Sequence, residues 1–202
     1  MLRKFNNNFL LKFTSTFLLI ISYFLCFSQK SYFQQQVNTT IEVELSDSNH
    51  FLHAKEKIIY INNSPVKLDT IFFHLWPNAY KNVDTKLAKQ KLEDGDLALK
   101  YTPKSERGYI DSLDFHVNNK KVKWEFFNNV IDIAVLILNE PLEPKDSIII
   151  ETPFRVKIPS GKFSRLGHIG QSYQITQWFP KPAVFDKDGW HPMSYLDQGE
   201  FY

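Results

Sequence analysis

The chemistry available to this chain begins with its histidines, acidic residues and amides. The six histidines are His50, His53, His74, His116, His168 and His191. None is followed by Glu, so the HExxH helix of a zinc peptidase is not encoded here. His50 and His53 are three residues apart, a spacing that puts them on opposite faces of a strand and keeps them from sharing a metal. Asp186-Lys-Asp-Gly189 opens like a calcium loop but lacks the later oxygen ligands and the closing bidentate Glu. It reads as a solvated β-turn. Neither a GxSxG nucleophile elbow nor a phosphate-cradling glycine loop occurs. The richest stretch is the last one, running from Ile175-Thr-Gln-Trp-Phe-Pro-Lys-Pro182 through Trp190 and Tyr195 to Gly199-Glu-Phe-Tyr202. Its aromatics either fill a core or form a platform of the kind that grips carbohydrate.

The elements that position these residues follow from patterning. Apolar Val37, Ile41, Val43 and Leu45, with Thr39, alternate with polar residues over 37–45, which predicts a half-buried strand. A second strand is expected over 50–62, ended by the turn Asn62-Asn-Ser-Pro65. A third, over 68–76, is apolar on both faces and therefore central, and Trp76-Pro77-Asn78 breaks it. Residues 82–96 carry the one helix-like stretch. Strands resume over 109–117, 121–126 and 130–138, with Asn118-Asn119 as a tight hairpin turn between the first two. Residues 146–158 alternate again, and Pro153, which cannot donate to a ladder, predicts a free edge or a bulge there. Gly161, Gly167 and Gly170 mark a loop, and 172–179 reads as a last strand. Many short strands with almost no helix predict an all-β fold, an antiparallel sandwich or saddle-shaped pair of sheets.

Composition bounds the function. Lys and Arg number 24 against 22 Asp and Glu, and the signs are interspersed, as in Lys86, Lys89 and Lys91 followed by Glu93, Asp94 and Asp96. A surface so diluted does not track phosphates, which argues against nucleic acid as a partner. Residues 1–28 read as a signal peptide. Arg3, Lys4 and Lys12 precede the apolar run 17–27, and Cys26 and Ser28 provide the small-x-small spacing for cleavage after Ser28. The run falls short of the ~20 residues that span a bilayer, so no stable membrane span is expected after cleavage. The domain is then 29–202, exported to the periplasm or beyond. Cys26 is the one cysteine, so the mature chain has neither a disulfide nor a thiolate metal site.

Thr176-Gln177-Trp-Phe-Pro180, then Gly189-Trp-His191 and Gly199-Glu-Phe-Tyr202, resemble the N-terminal domain of bacterial exported peptidases of the aminopeptidase N-type zinc family. Tyr60-Ile-Asn-Asn-Ser-Pro65 followed by Phe73-His-Leu-Trp-Pro-Asn-Ala-Tyr80 is similar to that domain's second and third strands and the loop after them. The resemblance implies a β-sandwich that packs beside a thermolysin-like catalytic domain and closes one side of the substrate cleft. In that family HExxH and a distant Glu hold zinc, and a GxMEN loop holds the substrate's amine. Neither motif is found here, since the methionines are Met1 and Met193 and Ser194 follows the latter.

The resemblance also implies one substrate contact from the domain itself, a Gln in a Thr-Gln-x-x-Pro segment that reaches the substrate's amine. Gln177 is the matching position. Phe179 stands where many relatives carry an acidic or amide residue, so amine recognition by this domain rests on Gln177 alone. The chain is therefore expected to be a fragment with no catalytic residue, metal or cofactor of its own. Zinc belongs to the parent enzyme, and the partners are the missing catalytic domain and the N-terminus of a peptide substrate. The rival expectation is a free-standing secreted β-sandwich module that binds glycans or peptides through its aromatics.

Overall fold

The computed structural model describes residues 32–198. The expected signal peptide with its expected cleavage after Ser28, and the Gly199-Glu-Phe-Tyr202 stretch, lie outside the described residues. The chain divides into two units at Tyr32 and Phe33, and the second is the β domain. Its strands in chain order are β1 (Gln36–Ser46), β2 (Phe51–Ile61), β3 (Leu68–His74), β4 (Tyr109–Asp111), β5 (His116–Val117), β6 (Lys120–Lys121) and β7 (Lys123–Phe126). They continue with β8 (Ile133–Leu142), β9 (Ser147–Lys157), β10 (Gly167–Ile169), β11 (Ser172–Gln174), β12 (Lys181–Pro182), β13 (Val184–Asp186) and β14 (Gly189–His191).

Two antiparallel sheets carry the fold, so the all-β expectation holds. The first has the order β1-β2-β9-β5-β6, with β4 also paired to β9, and the second the order β12-β3-β8-β7. Alternation along β2 and β9 sends Leu52, Ile58, Tyr60, Ile148, Ile150, Phe154 and Val156 to one face. There they meet Ile71, Phe73, Ala134 and Leu136 from β3 and β8 in a single apolar cluster. Each of the Val, Leu, Ile and Phe side chains among them contributes roughly 1.5–3 kcal/mol by leaving water. Glu56 lies on the same face of β2 with 3% of its surface exposed, and among the described residues neither carboxylate oxygen has a hydrogen-bond partner.

Several elements differ from the sequence reading, each for a local reason. β1 is a strand but not a half-buried one. Among the described residues it pairs only with β2, and Val37, Val43 and Leu45 on its apolar row are 40%, 50% and 41% exposed. β9 is not an edge. β2 pairs along one side of it, while β4 pairs with residues 155–157 and β5 with Ile150 and Glu151 on the other. Ile149 donates to Asn118 Oδ1 and accepts from the Asn118 N–H, so the nitrogen of Pro153, four residues on, points to the same side. It falls in the gap between β4 and β5, where no ladder bond is lost. The stretch after Asn118-Asn119 divides, β6 joining the first sheet and β7 the second. The expected last strand stops at Gln174, and its remainder is an irregular segment.

Among the described residues, helix is confined to short pieces. Thr85 caps the helix Lys86–Glu93, its Oγ1 accepting from the Ala88 N–H and donating to the Ala79 carbonyl. Leu87 and Ala88 of that helix pack with Trp76, Tyr80, Leu99, Phe163, Leu166 and Tyr195 in a second, smaller core.

Candidate functional site

The segment that carries Gln177 is built by the ends of its neighbours. Thr176 Oγ1 donates to the Arg165 carbonyl at 2.8 Å. Gln177 then adopts φ 53°, a left-handed conformation uncommon outside glycine that turns the chain before Trp178. Trp178 packs with Phe154 and Phe179, ring centres 5.8 and 5.6 Å away. β12 follows and docks on the edge of β3, aligning Lys181 with His74 and Pro182 with Phe73. The Ala183 N–H extends the ladder to the Phe72 carbonyl at 2.8 Å.

This docking creates a cluster that the sequence alone did not announce. Lys181 Nζ donates to Gln177 Oε1. An ammonium has only donors, so the Gln177 oxygen is the atom that must face it. The same Nζ stands 4.0 Å from the centre of the Trp76 ring, a cation–π contact. Trp76 is buried, stacks on the His74 ring at 4.5 Å with planes 17° apart, and donates through Nε1 to the Met193 carbonyl at 2.9 Å. The Met193 N–H in turn donates to His74 Nε2 at 3.2 Å, which makes that nitrogen an acceptor and the imidazole neutral. Asp132 locks the next residues, accepting from Ser194 Oγ at 3.2 Å and from the Tyr195 N–H at 2.9 Å.

Burial sets the electrostatics. It pulls the Lys181 ammonium down to about 8, and no carboxylate pairs with it among the described residues. Burial, and then the charge of Lys181, hold His74 down at about 4. Asp132 is pushed above the usual carboxylate range by burial, against the pull of its hydrogen bonds. The arrangement thus presents one half-buried cation, an amide and an indole, with a neutral histidine behind them.

The other sequence candidates lie elsewhere. His50 stacks on His168 with ring centres 3.5 Å apart and shares a hydrogen bond of 2.9 Å with the Tyr173 hydroxyl, while His53 neighbours Phe51. Among the described residues no three His, Cys, Asp or Glu side chains gather as metal ligands. Asp186-Lys-Asp-Gly189 is the turn of the β13–β14 hairpin. Asp186 Oδ1 there accepts from the Asp188 N–H at 2.8 Å and contacts His191 Nε2 at 2.9 Å. Trp178, Phe179 and Trp190 are half-buried and pack against the main core. A hollow of about 620 Å³ on the first sheet is lined by residues such as Glu42, Lys55 and Arg155 and does not touch Gln177.

Sequence reasoning singled out Gln177 but missed Lys181, Trp76 and His74 as its neighbours. The available signal was a lysine placed between Pro180 and Pro182 in an otherwise apolar run. Compared with known proteins, the chain matches no family model and no curated protein.

Proposed function

We propose that this domain is the non-catalytic, N-terminal substrate-cleft domain of an exported zinc aminopeptidase. Its catalytic half is the principal partner, and Gln177 meets the N-terminus of the peptide substrate. What supports the reading is that the Thr-Gln-Trp-Phe-Pro stretch, the Trp-Pro-Asn stretch and the residues just after Gly189-Trp-His191 meet in space. Trp76 in the Trp-Pro-Asn stretch and Met193, just beyond Gly189-Trp-His191, are 117 residues apart and share a hydrogen bond. Lys181 ties Gln177 to that same indole. An amide oxygen has a second lone pair, so Gln177 can accept from a substrate ammonium beside Lys181. Zinc is assigned to the catalytic half, and no step is routed through a metal on this chain.

The test joins this domain to its catalytic half. Charge-assisted hydrogen bonds contribute roughly 1.5–3 kcal/mol. Gln177→Ala should then lower kcat/KM by about ten- to a hundredfold on peptides with a free N-terminus. Unchanged kinetics with a small shift in the unfolding midpoint would reduce Gln177 to a structural residue. Export is tested separately by the mass of the mature chain, which should begin at Gln29.

A further inference from the structure

The Lys181 cluster has an unbalanced charge and an unused pair of donors. The oxygen of Gln177 is taken by Lys181, and its amide N–H groups have no partner among the described residues. Lys181 is half-buried over Trp76, which stabilises a cation without neutralising it. The carboxylates on adjoining segments are committed elsewhere, Asp132 to Ser194 and Tyr195 and Asp186 to His191 and Asp188. His74, the other titratable group facing Lys181, is neutral and adds no negative charge. A half-buried ammonium beside amide donors, with no carboxylate paired to it among the described residues, is complementary to an anion.

We propose that Lys181 and the amide N–H groups of Gln177, set over the Trp76 ring, form a binding site for a carboxylate group, the side chain of an acidic residue at the start of a peptide. The choice of a peptide's first residue as the source of that carboxylate rests on the aminopeptidase reading. The carboxylate site itself rests on the cluster alone. A planar carboxylate accepts one hydrogen bond from Nζ and one from the Gln177 amide, and its charge offsets that of Lys181. It also resolves the crowding at Gln177, because a substrate ammonium and Lys181 sharing one oxygen repel each other unless an anion lies between them. The parent enzyme would accordingly favour peptides beginning with Asp or Glu.

The experiment titrates this chain with three blocked amino acids that have no free amine, following the Trp76 indole and Gln177 side-chain amide signals by NMR. N-acetylglutamate α-amide offers a side-chain carboxylate, N-acetylalanine a main-chain carboxylate, and N-acetylglutamine α-amide a neutral isostere. Saturable shifts of both signals are expected with the first probe, at least about tenfold weaker binding with the neutral one, and intermediate or weaker binding with N-acetylalanine. Preference for N-acetylalanine would overturn the side-chain source, and equal binding of the charged and neutral probes, or shifts with none of them, would overturn the site. Lys181→Met should abolish the difference between charged and neutral probes, Lys181→Arg should keep part of it, and Gln177→Glu should lose it by repulsion. Retention of full binding by Gln177→Glu would also overturn the proposal. The wild-type comparison decides the matter even where a variant fails to fold. Because the probes have no ammonium, failure here leaves the aminopeptidase reading standing, and that reading fails only on the kinetics of Gln177→Ala.

Discussion

Lys181 Nζ lies 4.0 Å from the centre of the Trp76 indole, and the pairing of β12 with β3 is what sets that distance. Lys181 aligns with His74, two residues before Trp76, so the register of a two-residue strand brings a cation onto a buried ring. A slip by one residue would turn Lys181 to the other face and dissolve the cluster.

His74 makes the cluster sensitive to acid. Its folded value of about 4 lies below the ordinary 6.5, because burial and Lys181 disfavour the imidazolium. The unfolded chain therefore binds a proton that the folded one does not, and stability is lost as pH falls from 6.5 through 4. The loss approaches about 3 kcal/mol at the bottom of that window. Unfolding midpoints of the wild type and of His74→Phe, measured at intervals between pH 7 and 4, should converge as pH falls. Parallel curves would contradict this account.

Glu56 has the opposite sign. Burial pushes its carboxyl up to about 9 from an ordinary 4.5. Its contribution is fully present below 4.5 and is lost as pH rises through 9, so at neutral pH the folded state carries the cost of keeping it protonated. Glu56→Leu should stabilise the domain by about 3 kcal/mol at pH 7. That gain should shrink toward pH 4, and urea unfolding at the two pH values measures it. A destabilised Glu56→Leu at pH 7 would mean that the carboxyl has a structural task.

Asn62 is wholly buried and holds the turn after β2. Its Nδ2 donates to the Val66 and Leu142 carbonyls at 2.8 and 3.0 Å, and its Oδ1 accepts from the Ser64 N–H and hydroxyl at 3.1 and 2.6 Å. Asn62→Ala would strand several buried polar groups, with an expected loss of about 2–4 kcal/mol in chemical denaturation. Asn63→Ala, one residue on and more exposed, should lose less than about 1 kcal/mol.

Asn118 and Asn119 have φ of 49° and 63°, the left-handed pair of a type I′ turn between β5 and β6. Asn119→Gly should be neutral or slightly stabilising. Asn119→Val should be destabilising by about 1–2 kcal/mol, since a β-branched side chain is strained there. Equal stability of the two variants would show that the turn relaxes to another type.

Local order was legible in the residues themselves. Period-two alternation marked β1 and β9, because the pleat sends successive side chains to opposite faces, and dense apolar runs marked β2 and β3. Asn118-Asn119, Asn62-Asn-Ser-Pro65 and Asp186-Lys-Asp-Gly189 announced their turns, because left-handed backbone and side-chain-to-backbone bonds are properties of those residue types. Alternation names a face but not what covers it. The apolar row of β1 therefore read as buried, although β1 is an edge strand and the row is exposed. The same limit hid Glu56, whose burial depends on the sheet opposite. Gln177 stood out in its segment, whereas its tie to Lys181 and Trp76 required β12 to find β3 far along the chain. Which distant strands pair, and in which register, is decided by the collective burial of both sheets, a non-local balance that no single segment of this sequence contains.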